Sequence, residues 1–155
     1  MIGAGLFALW GNAVLLAWTG LALSAALPRS NLWATRLATV CGFCAPVILS
    51  ILWAVLLFAA MTRPGAGDLF TLDGVAVRFA DRDRLLLLYF ECLTLSLFVG
   101  GWIVSDARKV GVPRVAMILV LPIQFLFGPA GLASYVAIRK LRTWTAQPIV
   151  DTRKQ

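Results

Sequence analysis

The sequence contains no histidine and only seven acidic side chains in 155 residues. Without histidine, most haem and zinc sites, the zincin motif and every His-based catalytic triad are excluded. Cysteine is also scarce, with three in all, Cys41, Cys44 and Cys92. An odd number cannot form a complete disulfide framework. The Cys41-x-x-Cys44 pair lies inside an apolar run, whereas redox pairs of that spacing occupy exposed helix N-termini, so a structural reading as small apolar residues is expected. Charged residues amount to 14% of the chain and hydrophobic ones to 61%. A soluble domain carries roughly 25% charged residues. The net charge of +7 does not form a nucleic-acid surface, because the cations fall in the gaps between apolar runs, where orienting charges of a membrane protein belong.

What remains is hydrophobic length. No charged side chain occurs from Met1 to Pro28 or from Leu37 to Thr62. The pattern predicts an all-α, polytopic membrane protein, a four-transmembrane-helix bundle with spans at about 6–27, 37–61, 85–105 and 115–138 in a single membrane domain. Each span covers the ~30 Å hydrocarbon core at about 1.5 Å per residue. The first run lacks an N-terminal cation and is too long for a signal peptide, so it is expected to remain as a span. No internal repeat relates the two halves, which gives an inverted-repeat transporter little support.

An even number of spans puts both termini on one side. That side would carry Arg63, Arg78, Arg82 and Arg84 in loop 62–84, with Arg139, Lys140, Arg142, Arg153 and Lys154 in the basic tail 139–155. The other would carry Arg29, Arg36, Arg108, Lys109 and Arg114. The excess of cations predicts cytoplasmic termini in a cell membrane, the bacterial inner membrane being the expected one. Trp33, Trp102 and Trp144 near span ends read as interfacial anchors. Loop 62–84 opens on a turn-rich Arg63-Pro64-Gly65-Ala66-Gly67. Its second part, Phe70 to Phe79, fits a short interfacial helix better than an isolated hairpin.

Polar groups inside spans are costly and therefore informative. Glu91 falls about six residues, roughly 9 Å, inside the third span. It has three readings: a proton donor or acceptor in a cavity, an interhelical hydrogen-bonding group, or an interfacial group reaching to water. Matching depths across antiparallel spans sets Glu91 level with Asn12, Ser134 and Tyr135, and gives a deeper layer of Ser96, Ser50 and the Gly128-Pro129 break. Gln124 and Thr19 lie deeper still. Asn12, Glu91, Ser96, Gln124 and Tyr135 are thus the candidate intramembrane polar layer, with Glu91 the best candidate catalytic group. Pro122 and Gly128-Pro129-Ala130-Gly131 interrupt the fourth span. Prolines remove backbone donors and kink helices, and freed carbonyls must be covered by protein or line a cavity. Pro122, Gly128, Pro129 and Gly131 either shape a ligand groove or let backbones approach. No metal site is expected.

Two stretches carry a resemblance. Leu95-Ser96-Leu97-Phe98-Val99-Gly100-Gly101-Trp102-Ile103-Val104-Ser105-Asp106-Ala107-Arg108 is followed by Gly111-Val112-Pro113 and then by Phe125-Leu126-Phe127-Gly128-Pro129-Ala130-Gly131-Leu132. Together they resemble the abscisic-acid-deficient-four-like family of four-span membrane proteins over about residues 67–141, while the first half is similar only in hydropathy. The family pattern has aspartate where this chain has Ser96, histidine at Glu91 and tryptophan at Tyr89. Asp106 matches; at a span end beside Arg108 and Lys109 it is adequately explained as a solvated ion pair. The resemblance implies a link to carotenoids, since the plant founder is tied to neoxanthin synthesis, in which an epoxide opens to an allene.

Three functions follow. The first is a membrane protein that binds or isomerises a carotenoid or related isoprenoid lipid, with that lipid as its bound group and no other cofactor. Epoxide opening needs one group to protonate oxygen and another to take a carbon proton, and Glu91 is one strong candidate rather than two. The second is a non-catalytic accessory subunit packed against a larger membrane complex or its own copies. The third is a small transporter or channel. The lipid bilayer is the common partner and nucleic acid is none.

Overall fold

The structure, a computed structural model, describes residues 4–28, 30–61, 68 and 70–145. Arg29, the Arg63–Gly67 turn, Arg153 and Lys154 lie outside them. The described residues form helices and no strand: α1 (Ala4–Ala26), α2 (Leu32–Thr39), a π turn (Val40–Cys44), α3 (Ala45–Met61), α4 (Leu72–Ala80), α5 (Arg82–Val110), α6 (Arg114–Phe127) and α7 (Pro129–Thr145). Among the described residues, three helical segments are long and apolar enough to cross a membrane: Gly5–Ala26, Leu32–Ala60 and Arg82–Val110.

α5 is the axis of the bundle. Its buried residues Leu87, Phe90, Thr94, Leu97, Gly101, Val104 and Ala107 recur every three or four positions, which gathers them on one helical face. α1 answers with Trp10, Val14, Trp18 and Leu21. Trp10 stacks on Phe90 at 4.5 Å between ring centroids. Trp18 lies over Gly100, where a Cβ would meet its ring at 2.6 Å. Residue numbers thus rise together, and α1 runs parallel to α5.

α2, the π turn and α3 form one continuous segment antiparallel to α5. Gly42 meets Gly101 backbone to backbone, such that a Cβ on Gly42 would stand 2.6 Å from the Gly101 Cα. Further along, the Trp53 Nε1 donates to the Leu87 carbonyl at 2.9 Å. Lipid removes the hydrophobic drive between helices, so close backbone approach at small residues carries the association. The π turn has a local cause. Pro46 has no N–H for the carbonyl four residues back, and its ring crowds that carbonyl. Widening the preceding turn relieves the clash, and the Ala45 N–H bonds to the Val40 carbonyl instead. Cys41-x-x-Cys44 is this turn, with all three cysteines as free thiols.

The short helix expected in loop 62–84 is present as α4. The Thr71 hydroxyl accepts from the Gly74 N–H at 3.1 Å, an N-cap. Asp81 ends α4 and caps α5, accepting from the Asp83 N–H at 2.8 Å.

The fourth span expected at 115–138 is not one helix. α6 descends antiparallel to α5 as far as Phe127, the chain reverses at Gly128, and α7 returns parallel to α5. Three contacts establish the reversal. Gly131 packs on the Gln124 backbone, with only 2.6 Å between a Cβ there and the Gln124 Cβ. Tyr135 donates to Asp106 at 2.6 Å, and Arg139 pairs with the same carboxylate at 2.8 Å. In a straight continuation, Tyr135 would stand level with about residue 85 of α5, roughly 30 Å from Asp106 at about 1.5 Å per residue. Gly128 makes the reversal possible, since its φ of 27° and ψ of −83° suit a residue without a Cβ. Hydropathy adds up the two arms as one span because it measures apolar length and not direction. The start of α1 and the end of α7 therefore lie at opposite ends of the bundle, against the expectation that both termini share a side.

Candidate functional site at the hairpin tip

α6 enters beside α5 through a tight turn. Gly111, at φ 82°, closes the end of α5, with the Gly111 and Val112 N–H groups both bonding the Ala107 carbonyl at 3.0 Å, a left-handed helix stop. Pro113 then precedes α6. Fourteen residues of α6 reach about 21 Å, so the tip at Gly128 stands near the middle of α5.

Backbone groups at such a tip need partners inside the bundle. The Ser96 Oγ donates to the Gln124 carbonyl at 2.9 Å, and the Leu132 N–H bonds the Gly128 carbonyl at 3.2 Å. Pro129, first in α7, has no N–H to satisfy. Gly131 supplies the flat surface on which the arms cross.

Between the tip and α5 lies a groove of about 720 Å³, within the usual size range of small-molecule sites. Its floor on α5 is Tyr89, Cys92, Leu93, Leu95, Ser96 and Val99, and its other wall is Gln124 to Pro129 with Leu132. Tyr89, Cys92, Leu95, Leu126, Phe127 and Pro129 are exposed, so the groove opens on the bundle's outer surface. Its lining is apolar apart from Tyr89, Ser96 and Gln124. Gln124 is 1% exposed and its Oε1 has no hydrogen-bond partner. A buried acceptor left unmet costs about 1–3 kcal/mol.

The structure brings together Ser96, Gln124, Gly128, Pro129 and Gly131 of the expected site residues. It separates the others. Asn12, Thr19 and Ser50 are exposed on outer faces. Tyr135 is fully buried, but at the far end of α5 from Glu91, because α7 doubles back. Pro122 is exposed within an unbroken α6, so it does not break the helix. Glu91 is half-buried and lines a different, smaller cavity of about 110 Å³ beneath α4, with Trp53, Arg78, Phe79, Arg84 and Leu87 among its neighbours.

Sequence reasoning missed the Asp106–Tyr135–Arg139 cluster. Asp106 reads in sequence as a solvated partner of Arg108 and Lys109. In the structure it anchors α7, and Tyr135 also packs edge-on against Trp102 at 5.7 Å. No local signal pairs residues 29 positions apart across a reversed helix. Among the described residues no group of three His, Cys, Asp or Glu comes together that could hold a metal ion.

The family model described as ABA DEFICIENT 4-like matches residues 5–135. The chain belongs to that family. The match runs from the start of α1 into α7, so it includes the first two spans, which motifs alone did not tie to the family. It also takes in both walls of the groove and the whole turn at Gly128. No curated protein and no solved structure matches the chain. The ABA DEFICIENT 4-like match and the apolar helices together make this a membrane protein.

Proposed function

We propose that this ABA DEFICIENT 4-like protein holds an elongated isoprenoid lipid of the carotenoid class in the groove at the hairpin tip. The observation that carries the reading is that groove, apolar and open on the bundle's outer surface. An isoprenoid tail suits the leucine and phenylalanine lining. The tie of the family's plant founder to neoxanthin synthesis, which the resemblance implies, supports the same class. No carboxylate lines the groove among the described residues, and Glu91 opens on the other cavity, so the geometry supports holding a ligand rather than acid–base opening of an epoxide between two residues.

The test is extraction of the full chain into nanodiscs from a carotenoid-producing host, followed by an absorption spectrum and mass spectrometry of bound lipid. A stoichiometric polyene or isoprenoid is expected, together with its loss from Cys92→Trp, in which the indole fills the groove from an exposed position on α5. A colourless protein carrying only bulk phospholipid would refute the reading. A tight polypeptide partner in its place would favour the accessory-subunit role.

A further inference from the structure

The helix pairings fix which ends of the bundle lie together. At one end are the start of α2, the end of α5, the start of α6 and the end of α7. At the other are the start of α1, the end of α3, α4 and the start of α5. Among the described residues the first end carries Arg36, Arg108, Lys109 and Arg114, joined by Arg139, Lys140 and Arg142 from α7, while the second carries Arg78, Arg82 and Arg84.

The reversal at Gly128 therefore changes the charge balance as well as the path. A straight fourth span would have moved the three cations of α7 to the opposite end, giving four against six. The observed hairpin gives seven against three. Lys and Arg near span ends set orientation by staying on the cytoplasmic side, where anionic headgroups attract them.

We infer that the chain crosses the bilayer three times and enters it a fourth time as a half-membrane hairpin, with the basic end, the α5–α6 turn and the end of α7 on the cytoplasmic face against anionic headgroups, and the N-terminal end of α1 with α4 on the opposite face. The hairpin tip then reaches about the bilayer midplane, since Gln124 bonds to Ser96 halfway along the 29-residue α5. The groove opens there, to hydrocarbon, between the tip and α5 near the bilayer midplane. A ligand would enter it sideways from the lipid. This orientation stands whatever the groove binds.

The first measurement keeps the wild-type residues throughout. The full chain is expressed in bacterial cells with a neutral epitope tag at each end, and intact spheroplasts are treated with protease. Removal of the N-terminal tag with protection of the C-terminal tag is expected, and cleavage of both only after the membrane is opened. Identical behaviour of the two tags in intact spheroplasts would overturn the three-span path. Cleavage of the C-terminal tag alone would overturn the orientation. Single cysteines introduced by Phe70→Cys, Lys109→Cys or Trp144→Cys, in a chain with Cys41, Cys44 and Cys92 changed to Ala, give a second measurement with an impermeant maleimide. Phe70→Cys is expected to label in intact cells and the other two only after permeabilisation. Labelling of Trp144→Cys alongside Phe70→Cys would refute the hairpin.

Discussion

Gly131→Ala distinguishes a hairpin from a straight fourth span by the sign of its effect. In an uninterrupted helix a glycine costs roughly 0.5–1 kcal/mol relative to alanine, so the substitution would stabilise. In the hairpin the added Cβ lands 2.6 Å from the Gln124 Cβ and closer still to that residue's backbone. Backbone cannot swing aside like a side-chain tip. Carbon atoms pack at about 3.5–4.0 Å, so α6 and α7 must part by about 1 Å. Parting strains the Ser96 bond to the Gln124 carbonyl and the turn at Gly128. Overpacking of this kind costs about 1–3 kcal/mol. At about 2 kcal/mol the folded-to-unfolded ratio falls roughly 30-fold, and the melting temperature of a chain this long drops by about 4–8 °C. The assay is thermal unfolding in mild detergent, read by tryptophan fluorescence. Gly11→Ala in α1 is the control, since nothing lies within 4 Å of the position its Cβ would take, and it is expected to be neutral or slightly stabilising. A Gly131→Ala variant as stable as Gly11→Ala would refute the packing of the two arms.

Asp106→Ala removes the acceptor shared by Tyr135 and Arg139. Hydrogen bonds to charged groups contribute about 1.5–3 kcal/mol, so a loss of about 2 kcal/mol is expected in the same unfolding assay. A double-mutant cycle with Tyr135→Phe should show coupling well above zero, which two residues at opposite ends of a four-span bundle would not. Glu91→Gln is expected to leave the lipid content of purified protein unchanged, because Glu91 lines the cavity under α4 and not the groove; loss of bound lipid in that variant would move the site to Glu91.

The membrane class and the first three apolar spans were legible in the chain alone. Burying backbone in hydrocarbon demands long uncharged helices, and composition reports that demand directly. Local chemistry was legible too, with the Gly128–Gly131 run marking a break. The short helix in loop 62–84 was expected because an isolated hairpin is marginal, and the Thr71 side chain caps it by bonding a neighbour three residues away.

Direction was not legible. A kink and a reversal at Gly128 have the same sequence, and only the space beside Gln124, the partners of Asp106 and the depth of α5 distinguish them. From that one turn follow the separation of Tyr135 from Glu91, the groove at the tip, and the placing of the start of α1 and the end of α7 at opposite ends of the bundle. Hydropathy along a chain is a sum over residues and fixes how much of it lies in lipid. Which way a segment faces once inside depends on contacts between residues far apart in sequence, and only the tertiary structure brings those together.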